Sequence, residues 1–380
     1  MVDWLDAEDS RRTGGIKWAA VPDGTLAAWV AEMDVAPPAG VSVALADAVD
    51  RHAVLYPPLE SMTDLPTVIA GWHGRRLGQS VDADRVLYTG DVIAGLVFTL
   101  RTLLPVGSGV VLTTPVYHPF FSSLDEAGMH QVRIPLLAEG RRFRLDVERI
   151  GEAFAAGARA IVLCNPHNPT GSAPTVDELA AVGDLAERHD ALVVTDEVHL
   201  PLTLPGRTAT PFTVARPDLA GRTVTLTSGS KAYNLPGLRF AWLVAGDDAL
   251  AHRLRTPAFF ARGAWSGPGQ VAARAALDGA DGWLDDLVAD LADRHALVAA
   301  ALADRLPDDA IAVPDASFLA WLDLRATSIS ADPVAALDAA GVRVSPGAQF
   351  GSEGRGHVRL NVAAAESTLD RVLERIVGAI

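Results

Sequence analysis

The chain has 380 residues, of which 49% are hydrophobic and 21% charged, with a formal net charge of −15. That length exceeds what one small core needs, and the charge excludes a surface built to neutralise nucleic acid or an anionic membrane. A single cysteine, Cys164, excludes an internal disulfide and a cysteine-cluster metal site, and no run of roughly 18 apolar residues is present to span a bilayer.

The opening residues Met1-Val-Asp-Trp-Leu-Asp6 carry acids where a secretory signal carries bases, so a cytoplasmic protein is expected. Further along, short β-branched apolar runs each end on a polar or glycine-rich corner. Residues 85–89 run into Gly90-Asp91 and then a helical pattern over 92–104. Residues 109–113 run into Thr114-Pro-Val-Tyr117. Residues 158–163 lead to Asn165-Pro-His-Asn-Pro-Thr-Gly171 and a helical pattern over 176–189. Residues 191–195 end on Asp196-Glu197, and residues 222–226 end on Ser228-Gly-Ser-Lys231.

Strands of this kind alternating with helices predict an α/β fold, a mostly parallel sheet between helices. Ligands of such sheets bind beyond the carboxyl ends of the strands, so these corners should converge on one site. After about residue 270 the pattern changes. Residues 271–306 read as two helices broken near Gly279 and Gly282, with strands at 317–323 and 357–361. This predicts a large domain over 45–275 and a smaller α+β domain built from 1–44 and 276–380.

The corner residues suggest a chemistry. Lys231 alone would read as a solvated charge. It follows an apolar strand, however, with hydroxyls at Ser228 and Ser230 and a guanidinium at Arg239. An amine suits a carbonyl cofactor, and the hydroxyls and guanidinium suit its phosphate. Asp196 either caps a turn or, shielded at a strand end, keeps a pyridine nitrogen protonated as pyridoxal 5′-phosphate (PLP) requires. Asn168 is a turn residue or an amide donor to the phenolate oxygen of that cofactor, with His199 as a second contact there. Gly90-Asp91-Val92 opens a helix directly after a strand, which is a phosphate site by geometry although many such turns bind nothing. Tyr117 offers an aromatic face, or a core side chain. Arg359 either faces solvent from its strand or clamps a substrate α-carboxylate, which a guanidinium fork suits.

Taken in order, Tyr117, Pro166-His-Asn-Pro-Thr-Gly171, Asp196-Glu-Val-His199, Ser228-Gly-Ser-Lys231 and Arg359-Leu-Asn361 resemble the fold-type-I PLP enzymes, the aspartate aminotransferase superfamily. Within it the chain looks most like the cystathionine β-lyase or C–S lyase branch (MalY/PatB type). Lys17-Trp18, Trp29-Val-Ala-Glu-Met-Asp34, Phe318-Leu-Ala-Trp-Leu-Asp-Leu-Arg325 and Gly351-Ser-Glu-Gly-Arg-Gly356 carry the resemblance nearly end to end.

The resemblance implies that Lys231 is the Schiff-base and proton-transfer lysine and that Asp196 pairs with the pyridinium. Asn168 and His199 then contact the phenolate oxygen, and Tyr117 stacks on the ring. Gly90, Asp91, Val92, Ser228, Ser230 and Arg239 surround the phosphate, and Arg359 holds the substrate with Asn168 and Tyr117. It implies no metal, an amino-acid substrate, and a homodimer in which Tyr56 reaches the partner subunit's phosphate. His199 stands where related aminotransferases carry tyrosine, which favours α,β-elimination from L-cystathionine or another cysteine S-conjugate to a thiol, pyruvate and ammonia. Arg239 is typical of aminotransferases and leaves amino transfer to a 2-keto acid as the alternative. The segment His52-Ala-Val-Leu-Tyr56 is one residue shorter than the branch's usual form. Substrate specificity is expected around Met33-Asp34, Tyr233 and Gln349-Phe350.

Overall fold

Along the run Ala160–Cys164, Ala160 and Val162 pack into one apolar core while Ile161 and Leu163 pack into another. The neighbouring run Gly109–Thr114 divides in the same way, with Val110 and Leu112 on one side and Val111 on the other. A strand buried on both faces must be apolar at every position, which is why these segments read as continuous runs. Each such side chain contributes about 1.5–3 kcal/mol by leaving water.

The computed structural model describes residues 2–53 and 55–380. Met1, in the acidic opening run, and Val54, in the segment before Tyr56, lie outside the described residues. The strands are β1 (Leu26–Ala28), β2 (Val86–Thr89), β3 (Gly109–Thr114), β4 (His130–Pro135), β5 (Leu137–Glu139), β6 (Arg142–Arg144) and β7 (Ala160–Cys164). They continue as β8 (Leu192–Asp196), β9 (Thr223–Thr227), β10 (Ala241–Ala245), β11 (Leu319–Asp323), β12 (Val342–Pro346) and β13 (His357–Asn361). A seven-stranded sheet has the order β2-β10-β9-β8-β7-β3-β4. Only β10 runs against its neighbours β2 and β9; the remaining pairs are parallel. Because β10 is reversed, its beginning lies at the edge where the other strands end, and this carries Arg239 and Phe240 to that edge.

The helices follow their end signals. Asp91 caps the helix Val92–Leu103 by accepting the Ala94 N–H, and Thr175 with Glu178 forms a capping box on Val176–Arg188. The stretch read over 271–306 is two helices, Gly267–Gly279 and Asp281–Leu302. The break falls at Ala280 alone. Gly282 does not break the chain; it sits in the first turn of the second helix, where backbone N–H groups have no intrahelical partner in any case. No helix among the described residues is long and apolar enough to cross a membrane.

A four-stranded sheet, β1-β12-β13-β11, forms from the two ends of the chain. β1 pairs parallel with β12, and the other pairs are antiparallel. The strand expected from 317 begins at Leu319, because Ser317 takes a φ of 85° that no strand accommodates. Every residue of β13 is buried, and Arg359 lies opposite Ser345 of β12.

Between β1 and Val35 the backbone has few ladder bonds and is laced by side chains instead. Asn361 Nδ2 donates to Val30 O at 2.7 Å and Glu32 O at 2.6 Å. Asn234 accepts the Met33 N–H at 3.0 Å and donates to Met33 O at 2.8 Å and Val35 O at 3.0 Å. A buried ion pair, Lys17 Nζ to Asp34 Oδ2 at 2.9 Å, fixes the far end. This segment runs between the two sheets and brings its carbonyls to the site described next.

Candidate active site

Lys231 stands in the single turn Gly229–Ala232 that follows β9. Ser228 builds that turn: its Oγ accepts the Ser230 N–H at 3.0 Å and donates to Phe240 O at 2.8 Å. The Lys231 Nζ donates to Ala31 O at 2.7 Å. Burial, and then the charge of Arg359, lower its pKa to about 8. An appreciable share of this amine is therefore neutral near physiological pH.

Asp196 closes β8 and is 4% exposed. Its Oδ1 accepts the Val198 N–H at 3.0 Å, and its other oxygen has no hydrogen bond among the described residues. Burial raises its pKa to about 7, opposed by the Val198 hydrogen bond and the charge of Lys231. Such a carboxylate is short of a cation.

Asn168 and Arg359 meet across the two sheets. Arg359 Nη1 donates to Asn168 Oδ1 at 3.1 Å, and its Nη2 donates to Trp29 O at 2.9 Å and Ser345 Oγ at 3.1 Å. Its Nε is buried without a partner, and Phe350 lies beneath the guanidinium with its ring centre 4.9 Å away. Burial pulls the Arg359 pKa down to about 10, so it remains a cation at neutral pH. The sequence left Arg359 divided between solvent and site; the strand is buried throughout, and the site is where it lies.

His199 presents a buried Nδ1 with no hydrogen-bond partner. Burial, then the charges of Lys231 and Arg359, push its pKa down to about 3, so the ring is neutral. Burial raises the Tyr117 pKa, which keeps its hydroxyl protonated.

At the other end of the pocket, a Cβ on Gly90 would lie 2.5 Å from Ala264 O. Glycine is needed there for a close backbone approach. Asp91 Oδ1 accepts the Ala94 N–H at 2.7 Å, while Asp91 Oδ2 pairs with Arg239 Nη2 at 2.5 Å. Arg239 has a left-handed φ of 51°, unusual for a residue with a Cβ. The ion pair between Asp91 and Arg239 was not foreseen from the sequence, since each had been read separately as facing a phosphate.

A cavity of about 410 Å³ is lined by every residue predicted to contact the cofactor except Tyr56. Arg359 lines an adjoining cavity of about 550 Å³, which shares Ala31, Tyr117, Lys231 and Pro236 with the first. A larger cavity, about 810 Å³, shares only Asp91 and Ile93 with the lysine pocket and holds none of its other polar groups. Size is therefore a poor guide here; the chemistry lies in the two smaller cavities.

Tyr56 is not brought to this pocket. It is fully exposed, beside Leu55 at 80%, in a shallow cleft with Pro57 and Gln270. The expected specificity residues require correction. Met33 and Asp34 are buried, and Tyr233 is fully buried with its hydroxyl accepting the Trp72 Nε1–H at 2.9 Å. Phe350 is buried under Arg359, leaving only Gln349 of that set on the second cavity. What the sequence reading missed are the carbonyls of Trp29 and Ala31 and the hydroxyl of Ser345. The carbonyls have no side-chain signature; Ser345 had one signal, its alternation with Arg343 along a strand that was not recognised.

The model of the family "Aminotransferase class I and II" matches residues 30–376. A candidate cystathionine beta-lyase of Mycobacterium tuberculosis is 34% identical over 402 residues, spanning 98% of this chain and 96% of that protein. Cystathionine beta-lyase PatB of Bacillus subtilis is 30% identical over 387 residues, spanning 98% of each. Among solved structures, a candidate PLP-dependent beta-cystathionase of Corynebacterium diphtheriae superposes with a TM-score of 0.93 at 30% identity, covering 100% of this chain and 99% of that one. With nearly its whole length matched by the family model and by these relatives, this chain belongs to the aminotransferase class I and II family.

Proposed function

We propose that the chain is a cytoplasmic, PLP-dependent C–S β-lyase that cleaves L-cystathionine or another cysteine S-conjugate to a thiol, pyruvate and ammonia. One observation carries the reading: Lys231, an amine with a lowered pKa, shares a cavity with Asp196, a buried carboxyl group with no ion-pair partner among the described residues. The end-to-end similarity to relatives named cystathionine beta-lyase supports it.

The residues present fit the cofactor. The second oxygen of Asp196 and the Nδ1 of His199 are without protein partners, and Asn168 Nδ2 makes no hydrogen bond among the described residues. A flat ring with a cationic nitrogen and a phenolate oxygen would engage Asp196 and Asn168, with His199 beside the phenolate and Tyr117 against a ring face. Lys231 would hold it covalently. The N–H groups of Gly90, Asp91 and Val92, with Ser228, Ser230 and Arg239, would take its phosphate, Arg239 offsetting the charge of Asp91. In this reading residues 45–275 carry the cofactor, while 1–44 and 276–380 supply Arg359.

When bound, the cofactor supplies an electron sink for the pair left at Cα. The work of the chain's own groups is to orient the substrate and move protons. Arg359 grips the α-carboxylate, its fork held by Asn168, Ser345 and the Trp29 carbonyl. Lys231 in its neutral form takes the Cα proton. As the Cβ–S bond breaks with its electrons passing to sulfur, a proton must reach the thiolate. The Lys231 ammonium, with its pKa near 8, is a stronger acid than the Tyr117 hydroxyl, whose pKa is raised, and is therefore the better donor. The 2-aminoacrylate that leaves takes up water and gives pyruvate and ammonia.

Amino transfer to a 2-keto acid is the second reading, favoured by Arg239 at the cavity. The test is pyruvate release over a panel of cysteine S-conjugates with no keto acid present. Turnover of the panel supports the lyase; strict dependence on an added keto acid overturns it.

We propose further that the enzyme is a homodimer in which Tyr56 reaches the phosphate in the partner subunit. The exposure of Leu55 and Tyr56, with Phe259 and Phe260 also uncovered, supports this.

A further inference from the structure

Besides Lys231 and Glu32, the cavity of about 550 Å³ beside the lysine pocket has charged groups at two places. One is Arg359, already assigned to the substrate α-carboxylate. The other is an ion pair: Arg343 Nε donates to Asp338 Oδ1 at 2.6 Å. Asp338 ends the short helix Pro333–Ala339, and Arg343 lies on β12.

The strand relates the two places. On a strand, alternate residues share a face, and two residues advance about 7 Å. Arg343 and Ser345 are therefore on one face, and Ser345 Oγ is the group that accepts from Arg359 Nη2 at 3.1 Å. Arg343 and Arg359 thus line one cavity, with a guanidinium that suits a carboxylate at each place. The Arg343 Nη groups make no hydrogen bond among the described residues, and the Arg343 and Asp338 side chains are 34% and 35% exposed. An ion pair so exposed contributes little to the fold. It does offer a guanidinium edge for a carboxylate and, directly beside it, a carboxylate for an ammonium.

We propose that Asp338 and Arg343 form a distal subsite for a second α-amino acid group, so that cysteine thioethers with a zwitterionic far end are preferred over S-alkyl cysteines of equal length. A free amino-acid head carries its opposite charges on one carbon and meets the pair charge for charge. An alkyl end shields the pair from water and supplies no acceptor for the Arg343 Nη groups, which burial penalises. The proposal rests on the lyase reading for its substrate, and it accounts for cystathionine as a substrate better than a thioether of simple alkyl type.

The test uses the PLP-loaded protein and two readouts. The first is the ratio of kcat/KM for L-cystathionine over S-butyl-L-cysteine, by pyruvate release, in the parent, Arg343→Met and Asp338→Asn. The ratio should exceed about tenfold in the parent and fall at least about tenfold in Arg343→Met, with a smaller fall in Asp338→Asn. The second is calorimetric binding of 2,7-diaminosuberate, which has the same reach but no leaving group, against 2-aminooctanoate. The parent should prefer the former, and Arg343→Met should lose that preference. A ratio and a binding preference that both stay within threefold of the parent in the two variants overturn the subsite, even if pyruvate is released normally. No pyruvate from either thioether, with a diaminosuberate preference that still depends on Arg343, overturns the lyase reading and upholds the subsite.

Discussion

Arg359 and Asn168 join the two sheets through one hydrogen bond, Nη1 to Oδ1 at 3.1 Å. Arg359 belongs to β13, and Asn168 to the turn that follows β7. In the proposed reading, the group that grips the substrate is thus oriented by the turn that touches the cofactor, and the same side chains would fix the two positions relative to each other.

Because Arg359 also donates to Trp29 O and Ser345 Oγ, lysine is a poor replacement. An ammonium is a compact charge that does not satisfy three separated acceptors and a carboxylate together. Arg359→Lys should lower kcat/KM for L-cystathionine about 100-fold, mostly through KM, and Ser345→Ala about tenfold or less. Steady-state kinetics with both variants checks this; an Arg359→Lys value within threefold of the parent would refute the clamp.

Asp196 imposes a pH dependence on the cofactor-free protein. Its pKa is raised by burial from 3.8 to about 7, so the folded chain keeps a proton that the unfolded chain has lost between those values. Stability from this group is thus full below about 4 and falls as pH rises towards 7. The buried histidines His73, His167 and His199, pushed down to about 4, 4 and 3, act in the opposite direction below 6.5. A difference between two proteins separates the effects. The melting temperature of cofactor-free Asp196→Asn, relative to the parent, should climb between pH 4 and 7 and level off above. A constant offset over that range would contradict the assignment.

Behind Asp196 runs a buried chain of hydrogen bonds with one consistent direction. Trp242 Nε1–H donates to His73 Nε2 at 2.9 Å, His73 Nδ1–H donates to Gln79 Oε1 at 2.5 Å, and Gln79 Nε2–H donates to Glu197 Oε2 at 2.8 Å. Gln79→Leu would leave both His73 and Glu197 short of a partner. At about 1–3 kcal/mol for each buried group left unsatisfied, the loss should be about 2–6 kcal/mol. Denaturant unfolding of the variant measures it, and a loss under about 1 kcal/mol would show that the chain is not a structural unit.

Tyr56 is testable by mixing. If it serves the partner subunit, Tyr56→Ala and Lys231→Ala chains refolded together give mixed dimers with one intact site, made from Lys231 of one chain and Tyr56 of the other. Activity of the mixture should exceed that of Tyr56→Ala alone at equal total protein. Activity equal to the average of the two variants would place Tyr56 outside the partner's site.

The parts of this arrangement visible in the sequence share one property: a side chain at a strand end. Lys231, Asp196 and Asn168 follow runs buried on both faces, and the rule that parallel strands end together brings them to one edge without further information. Ala31 and Trp29 act through carbonyls, which any residue has, so composition gives no sign of them. β1 is three residues long and pairs with β12, more than 300 positions away, too short and too distant for periodicity to register. The reversal of β10 leaves no mark in the sequence, because a buried apolar strand reads the same in either direction. Arg239 was noticed for its charge, but its place depends on that reversal, and its pairing with Asp91 on a left-handed backbone has no counterpart in spacing.

In the proposed reaction Lys231 moves the proton in carbon–sulfur cleavage. The most direct measurement is pyruvate and free thiol released from L-cystathionine by the PLP-loaded parent and by Lys231→Ala, with no keto acid present. Pyruvate and thiol should appear in equal amounts from the parent, and at a rate at least about 10³-fold lower from Lys231→Ala. Equal rates from the two proteins, or a parent that turns over only when a keto acid is added, would contradict it.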